Sequence, residues 1–176
     1  GVYAYAANCG IDVNSDEWRT PNLDLVTGHS YRVYSDHLSG YAYAIYSMPS
    51  DLATVYLRFA FKIPANYGAE VSILELYEGA AATQHGKLTV TPSGGVIRAY
   101  KGTTLLATTA ANTFMPFTWN VMEVMFTPAD SGGRFVVKIN GVTVIDFSGD
   151  TKNAGTTGKI SVVRLGMMAS MGINSM

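Results

Sequence analysis

FVVKINGVTVIDF, residues 135–147, is the stretch that decides the fold. Two runs of Val, Ile and Phe flank Asn140-Gly141. An Asn-Gly pair between strands favours a two-residue type I′ turn, whose twist matches that of the strands it joins. Pairing outward from the turn sets Ile139 opposite Val142, Lys138 opposite Thr143 and Val137 opposite Val144. One face then carries Phe135, Val137, Ile139, Val142 and Val144, and the other carries Val136, Lys138, Thr143 and Ile145. An apolar face backed by a mixed one is the pattern of a strand pair in a sandwich.

The same period recurs along the chain. In TVYLRFAFKI (54–63), Val55, Leu57, Phe59, Phe61 and Ile63 alternate with Tyr56, Arg58, Ala60 and Lys62, and Pro64 ends the run. AEVSILELYEG (69–79) sets Ser72, Leu74 and Leu76 against Val71, Ile73, Glu75 and Tyr77. Short strands follow in 86–95 and 96–109, broken at Gly94-Gly95 and Lys101-Gly102. TWNVMEVMFTP (118–128) and KISVVRLG (159–166) complete the series, and 31–47 offers two aromatic strands around Ser39-Gly40. Helical periodicity is nearly absent. Regular short strands with turn signals between them imply an all-β sandwich or barrel. The chain of 176 residues reads as one domain, with a less regular segment over 1–30 and a Met-rich segment over 167–176.

Composition narrows the function. Charged residues make up 14%, against a usual share of about 25%. The net charge is −1 and no Lys/Arg run occurs, so nucleic-acid binding has no electrostatic footprint. A single cysteine, Cys9, excludes an internal disulfide and a multi-cysteine zinc site. No apolar run reaches the ~20 residues of a membrane helix, and GVYAYAANCG lacks the basic start and apolar core of a signal peptide.

The run from Trp119 to Gly149 carries a family resemblance. W-x-x-x-E-V-x-F, a Gly-containing turn and F-V-V-K-I-N-G-V-T-V-I-D-F-S-G-D, followed by a strand ending in Leu165-Gly166, resemble the concanavalin A-like lectin/glucanase superfamily. The nearest likeness is to laminin-G-like jelly rolls of tailed-phage structural proteins. Arg58-Phe59-Ala60-Phe61-Lys62-Ile63 and Glu78-Gly79 occupy the upstream strand and turn of that pattern, so the similarity spans roughly 40–166. It implies a two-sheet antiparallel jelly-roll β-sandwich. Such motifs specify fold rather than chemistry.

Glucanases of that superfamily place paired carboxylates on one strand face. Retaining hydrolysis needs two carboxyls about 5–5.5 Å apart. Here Glu70, Glu75 and Glu78 are spaced so that simple alternation sends neighbours to opposite faces, with no Asp between. Glu75 then reads as a polar position on a partly exposed strand and Glu78 as part of a turn. His29, His37 and His85 sit in loop-like settings without metal-ligand spacing. Asp12, Asn14 and Asp16 begin like an EF-hand loop, but Glu17 and Leu23 stand where Gly and Glu are required, so an Asx-type turn is expected. SGDTKN (148–153) reads as a second oxygen-rich turn. No cofactor is expected; a weak calcium at the sandwich rim is the one exception the resemblance leaves open.

Aromatic residues supply the remaining candidates. Trp18, Tyr41, Tyr43 and Tyr46, with Met167, Met168 and Met171, are candidate interface or glycan contacts, with core or interface packing preferred. The expectation is a non-enzymatic structural or decoration protein of a tailed-phage virion, made in the host cytoplasm. Its partners would be other virion proteins and its own copies, a trimer being favoured. The alternative is a lectin-like module that binds a surface glycan. Neither nucleic acid nor membrane is an expected partner.

Overall fold

The computed structural model describes residues 2–5, 9–13, 31–35, 42–63, 70–80, 82–154 and 157–168. Over 2–5, 9–13 and 31–35, and at Ala42 and Met167, the description is of the backbone alone. The elements are β1 (Val2–Tyr5), β2 (Cys9–Val13), β3 (Tyr31–Ser35), β4 (Ala42–Leu52), β5 (Val55–Phe61), β6 (Val71–Glu78), β7 (Thr83–Thr91), β8 (Val96–Lys101), β9 (Thr104–Thr108), β10 (Asn120–Thr127), β11 (Gly133–Ile139), β12 (Val142–Gly149) and β13 (Ile160–Met167). A short 3-10 turn, Pro92–Gly94, joins β7 to β8.

Two antiparallel sheets form the sandwich. The larger has seven strands in the order β1-β4-β13-β6-β7-β8-β9, the smaller four in the order β12-β11-β10-β5, and β2 and β3 form a separate pair that lies near β1, β4 and β13. The core lies between the two large sheets. The alternation in β5 and β10 is the one the sequence requires. Val55, Met122, Val124 and Phe126 are buried, with Leu57, Phe59 and Phe61 packed against them. Leu74, Leu76, Leu88, Val90, Ile97 and Ala99 meet them from the seven-stranded sheet. Phe126 and Phe135 pack edge to face at 4.8 Å.

The opening hairpin has the expected turn. Asn140 and Gly141 both have positive φ, 51° and 84°, as a type I′ turn needs. Ile139↔Val142 and Lys138↔Thr143 pair as expected. The register then shifts, so Val137 pairs with Ile145 rather than Val144. This bulge reverses the assignment of Ile145, which is buried; Val142 keeps its expected partner Ile139 but stands exposed beside the turn. β6 carries two further irregularities, between Ser72 and Leu74 and between Leu76 and Tyr77. The first puts Ser72 on the face of Glu75, to which its hydroxyl donates a hydrogen bond at 3.3 Å.

SGDTKN, read from the sequence as a turn, divides between strand and connection: Ser148 and Gly149 end β12, and 150–153 lead away from it. Thr151 is fully buried; its Oγ1 donates to Thr127 O at 2.7 Å and accepts from Ala129 N at 3.1 Å. It sits directly over Gly133, the first residue of β11. Asp12 lies within β2 and not in a turn, because it pairs with Arg32 of β3.

Candidate functional site on the outer face of the seven-stranded sheet

Strand pairing assembles a row of residues across six strands: Ile45, Arg164, Glu75, Lys87, Tyr100 and Leu105, from β4, β13, β6, β7, β8 and β9. Directly paired residues share a face. The face is the one turned away from the core, since Leu74, Leu76, Leu88 and Ala99 alternate with these positions and are buried inside. The row is about 24 Å long at the usual spacing of strands. A flanking row holds Ser47, Val162, Tyr77 and Gln84, and another holds Ser72, Thr89, Arg98 and Thr108.

Two hydrogen-bonded clusters occupy this face. In the first, Tyr77 donates its hydroxyl proton to Glu75 Oε2 at 2.6 Å. The Tyr77 hydroxyl oxygen in turn accepts from Gln84 Nε2 and from Arg164 Nη1, each at 3.1 Å. All three hydrogen-bonding positions of the phenol are thereby used. Burial and the bond to the Glu75 carboxylate push Tyr77 up to about 12. The Arg164 guanidinium lies 4.5 Å from the ring of Tyr77 and 5.1 Å from that of Tyr43. In the second cluster Glu70 accepts from Thr89 Oγ1, from Tyr100 at 2.6 Å and from Arg98 Nη1 at 2.8 Å. Burial works to raise the Glu70 pKa, but the bonds from Thr89 and Tyr100 and the charge of Arg98 hold it below the ordinary carboxylate value. Tyr100 is raised by burial and by its bond to Glu70.

Lys87 lies between the clusters. Its ammonium sits over the Tyr100 ring, 4.6 Å from the centroid, and no described residue gives it a hydrogen bond or an ion pair.

A third cluster, at the end of β6, is a tether. Glu78 Oε1 accepts from the amide and hydroxyl of Thr157, both at 2.9 Å. Its Oε2 accepts from Gly158 N at 2.9 Å and Lys159 N at 3.2 Å. His85 Nε2 lies 2.9 Å from Oε2, while Nδ1 accepts from Asn153 N at 3.1 Å. The amide fixes the tautomer: Nδ1 is the acceptor, so Nε2–H donates to Glu78. Burial acts to raise Glu78, and the bonds from His85, Thr157 and Lys159 outweigh it, bringing the carboxyl to about 2.

These positions correct several sequence expectations. Glu75 is 8% exposed, so it is a buried network member and not a partly exposed one. Glu78 ends β6 rather than standing in a turn. His85 is fully buried in β7 rather than in a loop. Glu70 and Glu75 engage the same outer face, because the bulge after Ser72 breaks simple alternation. Among the described residues no group of His, Cys, Asp and Glu has the clustering of a metal site.

The nominated aromatic and Met residues do not assemble into one site. Tyr43 joins the outer face beside Arg164. Tyr46 is paired with Val163, on the opposite side of β4, and is 58% exposed. Met168 continues the pairing of β13 with β6 by donating its amide to Ser72 O at 3.0 Å. Met167 ends β13 and its side chain lies outside the described residues, as do Trp18, Tyr41 and Met171 altogether. Lys87, Thr89, Arg98 and Tyr100 were readable as the polar positions alternating with Leu88, Val90, Ile97 and Ala99. A search for paired carboxylates on one strand passes over them.

No protein-family model matches the chain, and no curated protein matches it. Solved structures do. An endo-β-1,4-glucuronan lyase from the fungus Trichoderma reesei superposes with a TM-score of 0.62 at 10% identity, over 92% of this chain and 76% of that one. A protein of unknown function with a galectin-like fold from Bacillus subtilis gives 0.57 at 13%, over 96% and 84%. The carbohydrate-binding module CBM66 from Bacillus subtilis gives 0.54 at 10%, over 96% and 90%. At these identities the likeness is one of fold. It is to two-sheet β-sandwiches, one of them described as galectin-like.

Proposed function

We propose that the chain is a non-catalytic carbohydrate-binding protein that holds an extended glycan on the outer face of its seven-stranded sheet. The observation that carries this reading is the row Arg164–Glu75–Lys87–Tyr100, flanked by Tyr43 and Tyr77. Sugars are bound by aromatic faces that cover their apolar C–H surface and by charged or amide groups that meet their hydroxyls; this face supplies both in one plane. Its length suits several sugar rings. The fold neighbours support the reading, since they include a carbohydrate-binding module as well as polysaccharide lyases.

Binding is preferred to chemistry on the state of the tyrosines. A tyrosine acting as a base must lose its proton near neutral pH. Tyr77, near 12, and Tyr100, also raised, keep theirs and act as donors. Glu70, held ionised, is no general acid.

A glycan array followed by calorimetry tests the proposal. The expected result is binding of a defined glycan set, weakened about tenfold or more by Tyr100→Ala with the fold intact. An array without binders, or a bound glycan whose affinity Tyr100→Ala and Lys87→Gln both leave unchanged, would overturn it. Incubation with polyuronates should release no unsaturated product. The tailed-phage setting suggested by the sequence resemblance remains a proposal about location, with this face then serving host-surface recognition.

A further inference from the structure

The clusters on the outer face have an asymmetry in hydrogen-bonding capacity. A neutral sugar presents hydroxyls that donate and accept in equal measure, so its site needs acceptors as well as donors. Here the two carboxylates of the face are already engaged by the protein itself, which leaves hydroxyl and amide oxygens at its margins as the open acceptors. Glu70 already receives Thr89, Tyr100 and Arg98. Glu75 receives Ser72 and Tyr77, with Arg164 3.7 Å away. The Tyr77 hydroxyl is saturated.

The donors are not all taken. The half-buried ammonium of Lys87 has three N–H groups and no hydrogen bond or close ion pair among the described residues, although its charge helps to lower Glu70. Arg164 Nε is buried without a hydrogen bond. A buried donor left unpaired costs free energy and calls for an explanation. Arg134 Nε, on the smaller sheet, is unpaired in the same way, and each guanidinium is held through another nitrogen, by Asp146 and by Tyr77, so the unpaired ammonium of Lys87 is the feature particular to this face. Arg164 and Lys87 flank Glu75 on either side, two strand intervals apart, on the same row. The surplus on this face is therefore donors and positive charge.

Resting on the glycan-binding reading above, we infer that the ligand is an acidic glycan, a chain whose sugars carry carboxylates. Lys87 receives a carboxylate at the centre of the row, and the charge of Arg164, two strands away, adds to the positive potential there. The Lys87 contact is a point-charge contact supported from below by the Tyr100 ring. Tyr43 and Tyr100 contact the sugar rings. Glu70 and Glu75 orient the donors around them and leave few acceptors for a neutral chain.

The test is calorimetry of the full chain with alginate and polygalacturonate oligosaccharides, against cello-oligosaccharides of equal length and against poly-L-glutamate. The expected pattern is binding of the acidic sugars, at least tenfold weaker binding of the neutral ones, and none of poly-L-glutamate. Lys87→Gln should cost tenfold or more on the acidic sugars, Lys87→Arg should retain most of the affinity, and Lys138→Gln, exposed on the other sheet, should change nothing. Affinity should fall with added salt. Equal binding of neutral and acidic sugars, with Lys87→Gln like the parent, overturns the acidic preference and leaves glycan binding standing. Binding of poly-L-glutamate as tight as alginate overturns the preference for a sugar. No binding of any oligosaccharide removes both readings.

Discussion

His85 is fully enclosed and hydrogen-bonded at both ring nitrogens, to Glu78 and to Asn153 N, and this joins β7 to the segment between β12 and β13. Glu78 has a folded-state pKa of about 2 against 4.5 for the free group. A depressed carboxylate stabilises the fold above the unfolded pKa and loses that stabilisation as the pH falls through the folded one. Thermal unfolding should therefore show a loss between about pH 4.5 and 2, and Glu78→Gln should flatten that limb, which melting curves across the range will show. At neutral pH Glu78→Gln should cost about 2 kcal/mol, the scale of hydrogen bonds to a charged group. Tyr77 gives the opposite sign. Its phenol is raised to about 12, so the unfolded state, ionising near 10, gains over the folded one as pH rises through 10 to 12. Alkaline difference spectra should show tyrosines titrating late, and Tyr77→Phe should remove the one near 12 while leaving Tyr100 raised. None of this was visible in residue spacing. His85 sits on no apolar period, and its partners lie 7 and 68 residues away along the chain.

Strands were legible where alternation was clean, as in β5 and β10. The Asn140-Gly141 turn was readable too, because φ > 0 at both positions restricts the residues that can stand there. Alternation failed at bulges. One extra residue in β12 and the irregularities in β6 moved Ile145 inward and Ser72 outward. A bulge leaves no period of its own in a sequence, so the common face of Glu70 and Glu75 was lost with it. Two glycines separate steric room from backbone conformation. At Gly133 a Cβ would meet Thr151 Oγ1 and the carbonyls of Gly149 and Thr127, these two at 2.9 Å. Gly133→Ala should then cost about 1–3 kcal/mol in denaturant unfolding, as overpacking does. At Gly141 a Cβ meets nothing within 4 Å, but φ is +84°. Gly141→Ala should cost about 1 kcal/mol through backbone strain alone.

At the scale of the molecule, seven strands lie over four, and several large apolar residues are exposed. Tyr46, Tyr56, Met115, Phe117 and Val142 are among them. Phe117 is held at φ 64°, with its amide bonded to Ile63 O at 2.9 Å, so its ring is displayed from a fixed turn. The self-association expected from low charge is tested by light scattering at dilute and working concentrations. A discrete oligomer supports it, and a monomer at every concentration removes it. Tyr46→Ser and Phe117→Ser should shift any such equilibrium toward monomer, while leaving the melting temperature within a few degrees.

The network around Glu75 also bears on how a ligand would arrive. Ser72, Tyr77 and Arg164 surround that carboxylate before anything binds, and Gln84 fixes the phenol in turn. The face is pre-organised: its polar atoms are already aimed, and little side-chain entropy is left to lose on association. Differences in affinity among sugar chains would then arise mostly from the stiffness of the chains themselves, and the free and occupied sheets would superpose.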